Sequence, residues 1–160
     1  MARKVRELSP PAGLARILFR LPIGLYRAGL GWMFGDRFLL LNHLGRKSGL
    51  PRQAVLEVVD HDPQTDVYII AVGFGETSQW YLNLLAQPEA SIQVGRRKLD
   101  VTAQTLAPEE AGQVMVDFAR RYPGEAKLAR LLGYEVDGSE ADFRQMGEMM
   151  TLVALIPRSS

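Results

Sequence analysis

Cysteine is missing from this 160-residue chain. No disulfide can brace it and no thiolate can serve as nucleophile or metal ligand, which argues for a cytosolic protein over a small secreted scaffold. Redox work, if the chain does any, must come from a bound cofactor. Histidine is almost as scarce, with His43 and His61 the only two. One is expected in a strand and one in a turn, neither has a paired carboxylate at ligand spacing, and no metal site is expected. Ser48 has no histidine base nearby, which argues against nucleophilic hydrolysis.

Long uninterrupted apolar runs are also lacking. The stretch "LARILFRLPIGLYRAGLGWMFG" (14–35) is broken by Arg16, Arg20, Pro22 and Arg27, so neither a spanning helix nor a signal peptide is expected. Within it Leu14, Ile17, Leu18 and Leu21 recur at i, i+3, i+4 and i+7, predicting an amphipathic helix over residues 12–21 with arginine on its other side. Such a helix covers a domain or lies on a bilayer surface, and both roles stay open. Acid is sparse at the front of the chain: residues 1–52 hold ten Lys/Arg against Glu7 and Asp36, a net +8, while the remainder carries nine against sixteen, a net −7. A basic front attracts phosphate, whether of a ligand or of a membrane. Nucleic acid is not expected, because the cations are not interleaved with aromatics and no nucleic-acid motif is present.

What the chain does have is six short runs rich in Val, Ile and Leu. They are 37–45, 52–60, 66–73, 90–95, 98–106 and 151–157, each bounded by Gly, Pro or Asp and predicting a strand. "HDPQTD" (61–66) predicts a hairpin loop and "GRRK" (95–98) a tight turn. Three helices interrupt or follow. One is capped by Ser78, carries Trp80, Tyr81, Leu84 and Leu85, and ends at Pro88. A second starts at Pro108, with Glu109 and Glu110 at its positive end and Arg120 and Arg121 at its negative end. Ser139 and Asp142 suggest a capping box for a third, running through Met146. Hairpins with crossing helices predict a mostly β, α+β fold: one small antiparallel barrel with helices packed on it, rather than a doubly wound sheet. The chain divides into an N-terminal helical segment, 1–34, and a barrel domain, 35–160.

The loop "LGRKSGLPR" (44–52) gathers Arg46, Lys47, Ser48 and Arg52 between Gly45, Gly49 and two apolar runs. It is not a nucleotide P-loop, since Arg46 stands where that pattern needs glycine and a strand, not a helix, follows. A solvated basic turn is one reading. The other is an anion site, with glycines letting backbone N–H groups approach a phosphate or carboxylate closely.

"GRKSGLPR", then a strand, a hairpin and "IIAVGFG", then "SQWYLNLLAQPEASIQVG", resembles the deazaflavin (coenzyme F420)-dependent nitroreductase and quinone reductase family in order and spacing over residues 37–123. The resemblance implies a split β-barrel like that of flavin reductases. It also implies hydride transfer from reduced coenzyme F420 to an electron-poor acceptor of quinone, nitro or enone type, with FMN as second-choice cofactor. Carried over by residue, Arg46, Lys47, Ser48, Gly49 and Arg52 hold the coenzyme's phosphate and acidic tail. Ala71, Val72 and Gly73 lie along the ring, Trp80 and Asn83 begin the helix that closes the site, and Tyr122 is the candidate proton donor. Val72 stands where the family commonly has serine, Ala54-Val55-Leu56-Glu57 where a Pro-Leu-x-Tyr strand is frequent, and Glu125 and Leu128 where tyrosines line the substrate side. An insertion is expected at about 133–147. These changes remodel the acceptor pocket and leave open a rival reading, a barrel that binds flavin, haem-like pigment or lipid without turnover. A homodimer and a peripheral contact of residues 1–34 with the inner membrane face are left open as well.

Overall fold

The computed structural model describes residues 2–4, 23–28, 37–72, 78–121, 134–135 and 137–158. Eight strands and three helices follow in the order β1 (Arg3–Lys4), β2 (Phe38–Leu44), β3 (Pro51–Asp62), β4 (Val67–Ala71), α1 (Gln79–Ala86), β5 (Glu89–Val94), β6 (Arg97–Thr105), α2 (Pro108–Arg121), β7 (Tyr134–Glu135), α3 (Glu140–Met149) and β8 (Leu152–Pro157). Residues 23–27 form a further helical turn. The six expected strands are all present. They close into an antiparallel barrel in the order β2-β3-β4-β8-β6-β5, with β5 pairing back onto β2. Closure leaves the barrel no free edge.

Period-two alternation decides which residues face inward. Leu39 and Leu41 of β2, Tyr68 and Ile70 of β4, Ile92 and Val94 of β5, Val101 of β6, and Val153 and Leu155 of β8 fill the interior. Tyr81 and Leu84 of α1 join the same cluster, so this helix stoppers one end of the barrel. The alternate positions face out. Val59, Ile69, Ala71 and Leu152 pack under Ala111, Met115 and Phe118 of α2 and under Phe143 and Met146 of α3. Leu40 and Val55 are covered by Ile23 and Tyr26.

Each hairpin follows from its turn chemistry. Residues 63–66 form the β3–β4 turn, which Asp66 N–H closes on Asp62 O at 2.7 Å. Asp66 itself has φ 62°, a left-handed conformation that Asp tolerates better than most residues. His61, expected in this turn, is instead paired with Tyr68 at the end of β3 and stacks on its ring at 4.0 Å. The register shifts between Val58 and Asp60, and Arg121 at the end of α2 donates to Val59 O at 3.1 Å and Asp60 Oδ1 at 2.9 Å. That bulge fastens α2 to the barrel.

Two short strands had no sequence signal. β1 pairs with β7, and Ala2 N–H donates to Gln145 Oε1 at 3.0 Å. Two-residue strands are too short to show a period. The expected insertion at about 133–147 is filled by β7 and most of α3, which runs on to Met149 rather than ending at Met146. The helix expected over 12–21 lies outside the described residues. Of segment 1–34, residues 2–4 and 23–28 are seen packed against the barrel and its helices.

Candidate functional site: the β2–β3 loop and helix α1

β2 and β3 pair down to Leu44 opposite Pro51, and the six-residue turn beyond that pair, 45–50, is held by its own backbone. Gly45 N–H donates to Leu50 O at 2.9 Å and Gly49 N–H to Gly45 O at 2.8 Å. Gly49 has φ 69°, where a side chain would be strained. Ser48 Oγ accepts from Leu50 N–H at 3.2 Å, and a Cβ on Gly45 would come within 2.6 Å of that oxygen. Ser48 therefore shapes the turn, and Gly45 is needed to let its hydroxyl in.

Arg46 reaches back to α1. Its backbone N–H and its Nη1 both donate to Asn83 Oδ1 at 3.0 Å, and Nη1 also donates to Gln79 Oε1 at 3.0 Å. Asn83 is 4% exposed and spends its Nδ2 on His43 Nδ1 at 3.1 Å. Because Asn83 Oδ1 already serves two donors, its amide nitrogen must be the group facing His43. The imidazole must then accept at Nδ1 and carry its proton on Nε2. Burial, helped by the positive charge of Arg52, lowers the His43 pKa from 6.5 to about 4, so the ring is neutral at physiological pH.

Lys47 and Arg52 are exposed, and among the described residues neither side chain has a hydrogen-bond or ion-pair partner. The partners of Arg46 among the described residues are neutral amides. Among the described residues no carboxylate pairs with the three cations of this stretch, whereas Arg37 pairs with Glu57, Arg97 with Asp66, Arg120 with Glu140 and Arg121 with Asp60. A rigid turn carrying unneutralised cations and glycine backbone is suited to a phosphate or carboxylate.

The other sequence-predicted residues are distributed as follows. Trp80, on the first turn of α1, is half-buried at the rim of the interior cluster with its ring edge-on to Tyr81 at 6.0 Å. Val72 is buried in the interior, and its N–H is committed to Thr151 O at 3.0 Å. Ala71 pairs with Leu152 and turns its side chain outward toward α2 and α3. Gly73 and Tyr122 lie outside the described residues. Ser78 occupies the N-cap position of α1, with Leu82 N–H on its carbonyl at 3.1 Å, but its side chain makes no capping bond. Its Oγ is buried without a partner among the described residues, in contrast to the cap expected from sequence. His43 and Gln79 were not expected at the site. The signal for His43 was its parity with Leu39 and Leu41, which places an imidazole on the inward face of β2.

A family model for F420H(2)-dependent quinone reductases matches residues 24–131. The chain belongs to this family. The match takes in the cationic turn, β4, α1, α2 and Tyr122, and stops before β7 and α3. A putative F420H(2)-dependent quinone reductase of Mycobacterium tuberculosis is 33% identical over 88 residues, 55% of this chain and 74% of that one. Among solved structures, an F420-H2 dependent reductase (FDR-A) superposes with a TM-score of 0.52 at 23% identity, over 76% of this chain and 95% of its own. A chain described as a domain-swapped dimer does so with a TM-score of 0.52 at 19% identity, over 84% of this chain and 98% of its own. At those identities the two structures speak for the barrel fold that the F420H(2)-dependent quinone reductase family was expected to share.

Proposed function

We propose that this protein is an F420-dependent oxidoreductase that delivers a hydride from the reduced deazaflavin coenzyme to an electron-poor acceptor of the quinone class. The observation that carries the reading is the turn 45–52, whose cations have no acidic partners among the described residues and whose backbone is fixed by Gly45, Ser48 and Gly49. The coenzyme's phosphate and acidic tail match that charge. Lys47 and Arg52 bind the anion. Arg46, fastened to α1, sets their position, and Trp80 offers a half-buried aromatic face at the rim of the barrel for a planar ring. When bound, the reduced deazaflavin supplies the hydride. The chain's contribution is to hold the ring against the acceptor and to keep water out. Reduction of a quinone also consumes a proton, for which Tyr122 is the candidate donor with solvent as the alternative. FMN, with one phosphate and no acidic tail, is the weaker fit. A homodimer accords with the domain-swapped neighbour. A cytoplasmic location, which the lack of cysteine favours, is part of the proposal, as is peripheral contact of residues 1–34 with the inner membrane face, which the +8 charge of residues 1–52 favours.

The test is an anaerobic mixture of reduced coenzyme F420 and menadione, followed by the absorbance of the oxidised coenzyme, with fluorescence titrations of oxidised F420 and FMN beside it. Protein-dependent turnover, and tighter binding of F420 than of FMN, are expected. Binding without turnover makes the barrel a carrier, and absence of both overturns the proposal.

A further inference from the structure

β2 sends Leu39, Leu41 and His43 to the same face, and the first two are fully enclosed in the barrel. His43 is the last inward residue before the cationic turn. It is 7% exposed. Its one side-chain hydrogen bond among the described residues is accepted from Asn83 Nδ2 at 3.1 Å, and the far side of the same amide holds Arg46 through both backbone N–H and Nη1.

The primary amide of asparagine has nearly the same shape in both orientations, so contacts alone decide which end is oxygen. With Oδ1 toward Arg46, two donors meet one acceptor. With the amide turned over, its NH2 would oppose two donors and the turn would lose both fastenings to α1. What chooses between the two states is the atom on the other side. A His43 Nδ1 lone pair accepts from Nδ2 and fixes the productive orientation, whereas a proton there would ask for the reverse.

We propose that His43 is a positioning residue for the coenzyme grip: as a buried acceptor it fixes the sense of the Asn83 amide, which fastens Arg46 to α1 and thereby places Lys47 and Arg52. The inference rests on the proposed function for its consequence in binding, while the latch itself is a property of the coenzyme-free chain. Burial, and after it the charge of Arg52 opposite His43 across the β2–β3 pair, keep the ring neutral, and the Asn83 amide then settles which nitrogen accepts.

Two replacements separate the latch from simple core packing. His43→Phe keeps an aromatic ring and removes the acceptor. His43→Asn loses ring volume but sets Oδ1 where Nδ1 stood. In the coenzyme-free protein, amide hydrogen exchange at Arg46 should be fast in His43→Phe and parent-like in His43→Asn. The dissociation constant of oxidised F420 should rise about tenfold in His43→Phe and stay within about threefold of the parent in His43→Asn, as loss of one ordering hydrogen bond implies. KM for the reduced coenzyme should rise with it while kcat at saturation holds, the pattern of lost binding rather than lost chemistry. Nitrogen NMR of the parent protein, which needs no variant to fold, should find the proton of His43 on Nε2. A proton on Nδ1, or an Arg46 amide as protected in His43→Phe as in the parent, overturns the proposal. A parent protein that binds no F420 overturns the proposed function instead, and the Arg46 exchange result still decides the latch.

Discussion

Lys47 and Arg52 carry the clearest prediction at the scale of single residues. Each is exposed and lacks a protein partner among the described residues, so neither supports much folding energy. Replacing either by alanine should weaken F420 binding by about 1.5–3 kcal/mol, roughly ten- to a hundredfold in Kd. Thermal stability should barely move. A fall in affinity with unchanged Tm separates a ligand grip from a solvated turn, and a double alanine variant that binds like the parent removes the turn from the site. His43 gives a pH prediction. Its folded pKa is about 4 against an ordinary 6.5. The unfolded chain therefore takes up a proton that the fold refuses, so this residue's contribution is whole above about pH 6.5 and is lost as pH falls toward about 4. Between those limits the Tm of the parent should drop more steeply than that of His43→Phe. Parallel Tm profiles would mean that the ring titrates freely in the fold.

Among the elements, the α2–α3 pair owes its closeness to two glycines. A Cβ on Gly147 would lie 2.5 Å from Ala111 O and 2.8 Å from Gly112 Cα, both backbone atoms that cannot step aside. Gly147→Ala should push the helices apart at a cost of about 1–3 kcal/mol, visible as a lower denaturation midpoint. A midpoint equal to the parent's would show that the helices separate freely. The N-terminus of α3 is held by Ser139 Oγ, which accepts from Asp142 N–H at 3.2 Å. Ser139→Ala should cost about 0.5–2 kcal/mol of stability without touching F420 affinity. This cap was readable from Ser139 and Asp142 alone because capping depends on a spacing of three residues and on nothing distant. The Ser78 cap was equally readable and did not form, because at that end the hydroxyl is buried away from the first-turn N–H groups instead of bonded to them.

For the molecule as a whole, the uneven charge is the feature to test. F420 binding should weaken with ionic strength, since unneutralised surface cations attract an anion through a screened field. Affinity independent of salt would detach the grip from its charge. Residues 1–34 should hold the full chain on vesicles containing anionic lipid, by about 1 kcal/mol for each cation near the surface. A chain lacking these residues should be released. Failure of the full-length protein to sediment with such vesicles removes the membrane contact.

The sequence by itself determined the six barrel strands, the hairpin turns, the three helices and the cationic turn, because each rests on short-range physics. Alternation, turn residues and caps act over a few positions, and the motif "GRKSGLPR" is contiguous. A barrel was already expected from the hairpins, but its strand order, with β5 returning to β2 and β8 set between β4 and β6, was a matter for the tertiary structure. So was the division of labour in the turn. Arg46 read as one cation among three, and only the approach of α1 shows that it fastens the loop to Asn83 while Lys47 and Arg52 face solvent. His43 read as a stray histidine for the same reason. Its partner lies forty positions away, and a hydrogen bond across that separation leaves no period, spacing or composition for a sequence to display.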